Sequence, residues 1–145
     1  RSPARRRSLA RAEATLSRFV NAVQVATGLE DRQQTQIAID TTLALLVQRI
    51  TPGEAKDFIV QLPSLLQQLL RALPPGPDRS INRKAIVVEL SSQLGVDTVQ
   101  AEKLIGPIIG TIAKAISPGQ AEDLRRQLPE DLRSLFAVPE PVDTA

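Results

Sequence analysis

The chain has 145 residues, 42% hydrophobic and 23% charged, a composition that suits a single folded domain with a sizeable core. It has no Cys, His, Trp, Tyr or Met, so thiolate chemistry, disulfides and the commonest general base and metal ligand are all missing. The net charge of +2 is unevenly placed: residues 1–18 hold six Arg and one Glu, or +5, which leaves −3 for the remainder.

In chain order, Ser2-Pro3 predicts a helix start, with Ser2 as N-cap and Pro3 in the first turn. Leu9, Ala12, Leu16, Phe19, Val20 and Val23 then keep helical spacing, while Arg7, Arg11 and Arg18 fall on the opposite side. Gly28 is the expected stop. A second helix is capped near Asp31 and reaches Ile50. Thr51-Pro52-Gly53-Glu54 reads as a capping box in which the Glu54 side chain reaches back to the Thr51 amide. The third helix carries Phe58, Ile59 and Leu62, and Pro63 restarts the chain as a Leu-rich fourth helix. Residues 74–80, with three Pro and a Gly, form a connector. A fifth helix from about Asn82 is closed by Gly95, and a sixth, opened by Asp97, contains Gly106-Pro107, where a kink is expected. Gly106 and Gly110 are read as small residues that let a neighbouring helix approach. Ser117-Pro118-Gly119-Gln120 opens the seventh helix, and Pro129 begins the eighth. The tail 137–145 is expected to be disordered.

One phrase occurs twice. Ile50 to Leu70 aligns with Ile116 to Phe136, and ten of the 21 positions are identical. Duplication of this length means one helical unit used twice. The expected fold is all-α, a compact bundle of two tandem pseudo-symmetric four-helix repeats. A basic N-terminal segment covers 1–18, and one domain covers 19–136: repeat one 19–73, linker 74–80, repeat two 81–136. Neither repeat buries enough surface alone, so one shared core is expected.

Thr51, Pro52, Glu54, Ala55, Asp57, Gln61, Leu62 and Pro63 carry the first copy of the motif. Ser117, Pro118, Gln120, Ala121, Asp123, Gln127, Leu128 and Pro129 carry the second. In these residues the segment from about 19 to 136 resembles the bacterial family called domain of unknown function 2267. The resemblance implies an all-helical fold and no assigned activity, substrate or cofactor. It also implies a Tyr- and Trp-containing end to the Leu-rich helix, where this chain has Leu70-Arg71-Ala72-Leu73.

Asp57 and Asp123 occupy equivalent places, with Glu54 nearby. They are read as first-turn residues favoured by the helix dipole rather than as a converging catalytic pair. No catalytic, cofactor-binding or metal-binding residue is therefore assigned, and a non-enzymatic protein is expected. The copies disagree where Ile59, Val60 and Leu65 are replaced by Arg125, Arg126 and Asp131. Ile59, Val60 and Leu65 are the candidate protein contact, for a partner or for self-association. Arg7, Arg11 and Arg18 are the candidate polyanion contact, suited to nucleic acid or an anionic membrane surface. With three Phe as its aromatics the chain lacks base-stacking platforms. No apolar run approaches the roughly 18 residues of a transmembrane helix. The reading is a non-catalytic interaction or scaffold module of a bacterial cytoplasm, with no small-molecule ligand evident.

Overall fold

A computed structural model describes residues 2–136; the expected disordered tail lies outside the described residues. Helix α1 spans Pro3–Thr27, α2 Arg32–Arg49, α3 Pro52–Ile59 and α4 Ser64–Arg71. They are followed by α5 at Arg83–Leu94, α6 at Thr98–Ala115, α7 at Pro118–Gln127 and the short α8 at Glu130–Arg133. A final 3-10 turn, Ser134–Phe136, seats Phe136 in the core. No strand occurs among the described residues.

The helix boundaries follow from side-chain chemistry. Hydroxyl or carboxylate oxygens of Ser2, Asp31, Thr51, Asp97 and Ser117 each accept an amide hydrogen from the first turn that follows, and the Asn82 carbonyl oxygen does the same for α5. Gly28 and Gly95 end α1 and α5 in the left-handed region, at φ 76° and 67°. Helix α6 continues through Pro107, so the missing amide bond there does not divide it.

The apolar faces meet in one cluster. Val23, Ile39, Leu43 and Leu46 from the first half lie in the same core as Ile86, Leu90, Ile105 and Ile109 from the second. The two halves are interleaved, because α2 packs mainly on α5 while α1 packs mainly on α6. Each half's leading helix thus lies on the other half's following helix, which is why neither can close a core by itself.

Between α4 and α5 the chain folds back over the end of α2. The Asp78 amide donates to the Gln48 carbonyl at 2.7 Å, satisfying an acceptor that the end of α2 leaves free. Gly76 lies so close to the Gln48 and Ile50 carbonyl oxygens that a Cβ there would collide with both. Asp78 accepts from the Ser80 hydroxyl and amide, at 2.6 and 3.0 Å, and these bonds hold its carboxyl below the ordinary carboxylate range.

Candidate functional site

The duplicated phrase forms a joint between α3 and α7. Thr51 caps α3 as expected, accepting from the Glu54 amide at 3.3 Å. Glu54 does not complete the capping box, however. The Thr51 amide donates instead to Gln127 Oε1 at 2.9 Å, and the Ser117 amide donates to Gln61 Oε1 at 2.7 Å. Gln61 and Gln127 are equivalent residues, so each copy supplies the missing half of the other's cap. Glu54 is left free to accept from Gln120 Nε2 at 2.7 Å. These two are also equivalent, and the exchange is the pattern of an isologous contact. A further pair matches: Gln67 Nε2 donates to the Leu62 carbonyl at 2.9 Å, and Arg133 Nε to the Leu128 carbonyl at 3.0 Å. Glu54, Gln61, Gln120 and Gln127 are therefore committed to holding the halves together.

Asp57 and Asp123 lie in the second turns of α3 and α7, not the first, because each helix begins at its Pro five residues earlier. Both are exposed, and Asp123 pairs with Arg126 at 3.0 Å.

The proposed contact residues are dispersed. Ile59 is buried, so it belongs to the core and offers no surface. Its cover comes from the connector: Ile59, Val47, Leu70, Leu73 and Pro74 line one shallow cavity of about 310 Å³. In copy two Arg125 occupies the equivalent place and is half-buried. Val60 is 55% exposed, and its carbonyl accepts from Gln67, on the flank of α4 that faces α1. Leu65, 42% exposed, lies about 160° around α4 from Gln67. One turn on from Leu65, and 51% exposed, is Leu69, which is not among the candidate contact residues Ile59, Val60 and Leu65. Two leucines at i, i+4 form a ridge, and the buried pair Leu66 and Leu70 already satisfies the core side of α4. That surplus was the available signal.

Beside this ridge, α2, α4 and α5 enclose an open groove of about 320 Å³. Ala44, Leu45, Leu69 and Leu73 supply its apolar lining, and Asp40 and Glu89 supply carboxylates. No Lys or Arg lines it. Burial pushes the Asp40 carboxyl above its ordinary value, and Asp40 Oδ1 has no hydrogen-bond partner.

At the opposite extreme, α1 outruns the body. From Pro3 to Arg11 every residue is exposed, and Phe19 is the first one fully in the core. Arg7, Arg11 and Arg18 are all exposed, with Arg18 donating to Thr15 Oγ1 at 3.3 Å. Arg7, Arg11 and Arg18 share one side of α1 by helical spacing, and Arg5 and Arg6 add guanidinium groups at other angles around the arm.

Residues 16–135 match the model of a protein family described as "Uncharacterized conserved protein (DUF2267)". The chain belongs to the DUF2267 family. The match begins at Leu16, where α1 starts to be covered by the body, so the Arg-bearing arm precedes the part that DUF2267 proteins share. The joint, the groove and the Leu65–Leu69 ridge all lie inside it. No curated protein matches the sequence. Among the described residues no cluster of metal-ligating side chains occurs, and no helix is long and apolar enough to cross a membrane.

Proposed function

We propose that the chain is a non-catalytic interaction module whose binding face is the Leu65–Leu69 ridge with the adjoining groove. Support comes above all from one observation: the surplus Leu69, 51% exposed, lines an apolar groove that carries two carboxylates and no cation, and Leu65, 42% exposed, stands one turn before it on the same side of α4. The complementary partner is an amphipathic helix of another cytoplasmic protein, placing apolar side chains on the ridge and a Lys or Arg at Asp40. A guanidinium there would lie beside the Asp40 and Glu89 carboxyl groups that line the groove. Val60, on the other flank of α4, is outside this face. The test is chemical cross-linking from native cells, comparing wild type with Leu65→Gln/Leu69→Gln. A helical, basic partner cross-linked through α4 or α2, and lost in the variant, supports the face. Self-association lost in the same variant would replace a foreign partner with a second copy. An unchanged set of cross-links and an unchanged oligomeric state would remove the proposal.

The projecting arm favours a second reading, contact with a polyanion or anionic membrane surface. The two are compatible, since the arm and the ridge are separate elements.

A further inference from the structure

The geometry points to a duplex nucleic acid as the polyanion that the α1 arm grips, through phosphates on both sides of a groove and without reading sequence. This rests on the arm contacting anions at all, and it goes on to name the ligand class.

Charge placement comes first. Arg5, Arg6 and Arg7 are consecutive, so their side chains leave the helix about 100° apart and span a little over half of its circumference. Arg11 lies one turn beyond Arg7. Among the described residues the ion pairs are Arg83–Glu102, Arg125–Glu122 and Arg126–Asp123, so these four guanidiniums pair with no carboxylate of the described residues. They also sit at the positive pole of the helix, whose first turn has no acidic residue. Four cations repel one another and the helix dipole there, and an anion would relieve both.

Shape then separates the candidate anions. A helix lying on a membrane needs a continuous apolar face. On this arm Leu9 is the one large apolar side chain, and Arg5 lies directly one turn before it on the same side. A flat anionic surface would also leave the guanidiniums of the far side unused. A groove walled by phosphates uses them all. An α-helix with its side chains is about 10–12 Å across, against about 12 Å for the major groove of B-form DNA. Residues 3–15 extend about 20 Å, enough to follow the groove for roughly six base pairs.

Sequence specificity is not expected. The arm has no Asn or Gln, and its arginines at the entrance meet backbone first. Single strands are disfavoured because the arm has no aromatic residue for stacking.

The experiment is fluorescence anisotropy of the full chain with a random-sequence DNA duplex of about two turns. The same measurement is made with one of its strands and with vesicles of phosphatidylcholine and phosphatidylserine. Wild type is compared with Arg5→Gln/Arg6→Gln/Arg7→Gln/Arg11→Gln, whose substitutions all fall on exposed positions. Four phosphate contacts give a log–log salt slope of about −3.6, so affinity should fall about a hundredfold between 50 and 200 mM salt. The variant should lose duplex binding while keeping the wild-type melting transition. Duplex binding that survives in the variant overturns the assignment to the arm. Equal affinity for the single strand overturns the groove fit. Binding to vesicles but not to duplex overturns the nucleic-acid inference and keeps the arm as an anion-contacting element. Failure to bind duplex, strand or vesicle at low salt overturns both.

Discussion

Gln120 donates its side-chain amide to the Glu54 carboxylate at 2.7 Å, joining the same position of the motif in its two copies. Both flanking caps are completed across this joint by Gln127 and Gln61. Gln120 is buried and Glu54 half-buried, so replacing the amide with a second acid is the sharpest disturbance available. Gln120→Glu should destabilise by about 1–3 kcal/mol at neutral pH, because an acceptor then faces an acceptor and a charge faces a like charge. Chemical denaturation measures it. Lowering the pH should recover part of the loss, since repulsion raises the folded-state carboxyl pKa and the protonated form restores a donor. Gln120→Met, which removes the donor without adding charge, should show no such recovery.

Gln61→Ala/Gln127→Ala withdraws the exchanged acceptors from the Thr51 and Ser117 amides. Thr51 and Ser117 are exposed residues, so water replaces part of what is lost. A cost of about 0.5–1 kcal/mol per site is expected, read as a melting temperature lower by a few degrees.

These cross-copy bonds mark where sequence reading stops. Ser2, Asp31, Thr51, Asp97, Ser117, Gly28 and Gly95 were legible because a cap or stop acts within a few residues of itself. Thr51 and Gln127 are 76 positions apart, and no local pattern reveals that Gln127 displaces Glu54 from the Thr51 amide. The contrast of Ile59 with Arg125 identified a real difference between copies. Its cause is cover by the connector around Pro74, which copy two has no counterpart for in the described residues. Comparison of the copies does not single out Leu69, because its equivalent Leu135 is also Leu, yet one is half-exposed and the other packs on the core.

Gly76→Ala should be severe for a glycine in a connector. Its new methyl would meet two backbone carbonyl oxygens, which cannot rotate away. Destabilisation of about 1–3 kcal/mol or more is expected in urea titration, against a negligible effect for Gly53→Ala, where nothing lies in the way.

Asp40 gives the chain a pH signature. Burial raises its folded-state pKa above the unfolded value of 3.8, so the folded form favours the protonated acid. Its stabilising contribution is complete below the unfolded pKa and is lost as pH rises through the folded one. Asp40→Asn should therefore be more stable than wild type at neutral pH and indistinguishable from it below pH 3.8. Denaturation at both pH values, on both proteins, checks the sign.

The arm's helicity is separable from the body's. Its first turns have no tertiary support, so they depend on the Ser2 cap. Ser2→Ala, worth about 1 kcal/mol of cap, should fray α1 from its start toward Leu16 and leave the melting transition unchanged. Amide hydrogen exchange resolves the two regions.

The shared motif holds the halves together, while contact with a partner is proposed for the Leu65–Leu69 face. The most direct measurement sets Gln61→Ala/Gln127→Ala beside Leu65→Gln/Leu69→Gln, recording for each the melting temperature and the partner cross-linked in native cells. The joint variant should melt lower and keep its partner; the ridge variant should melt as wild type does and lose it. A ridge variant that retains the same partner at full yield would contradict the assignment of function to that face.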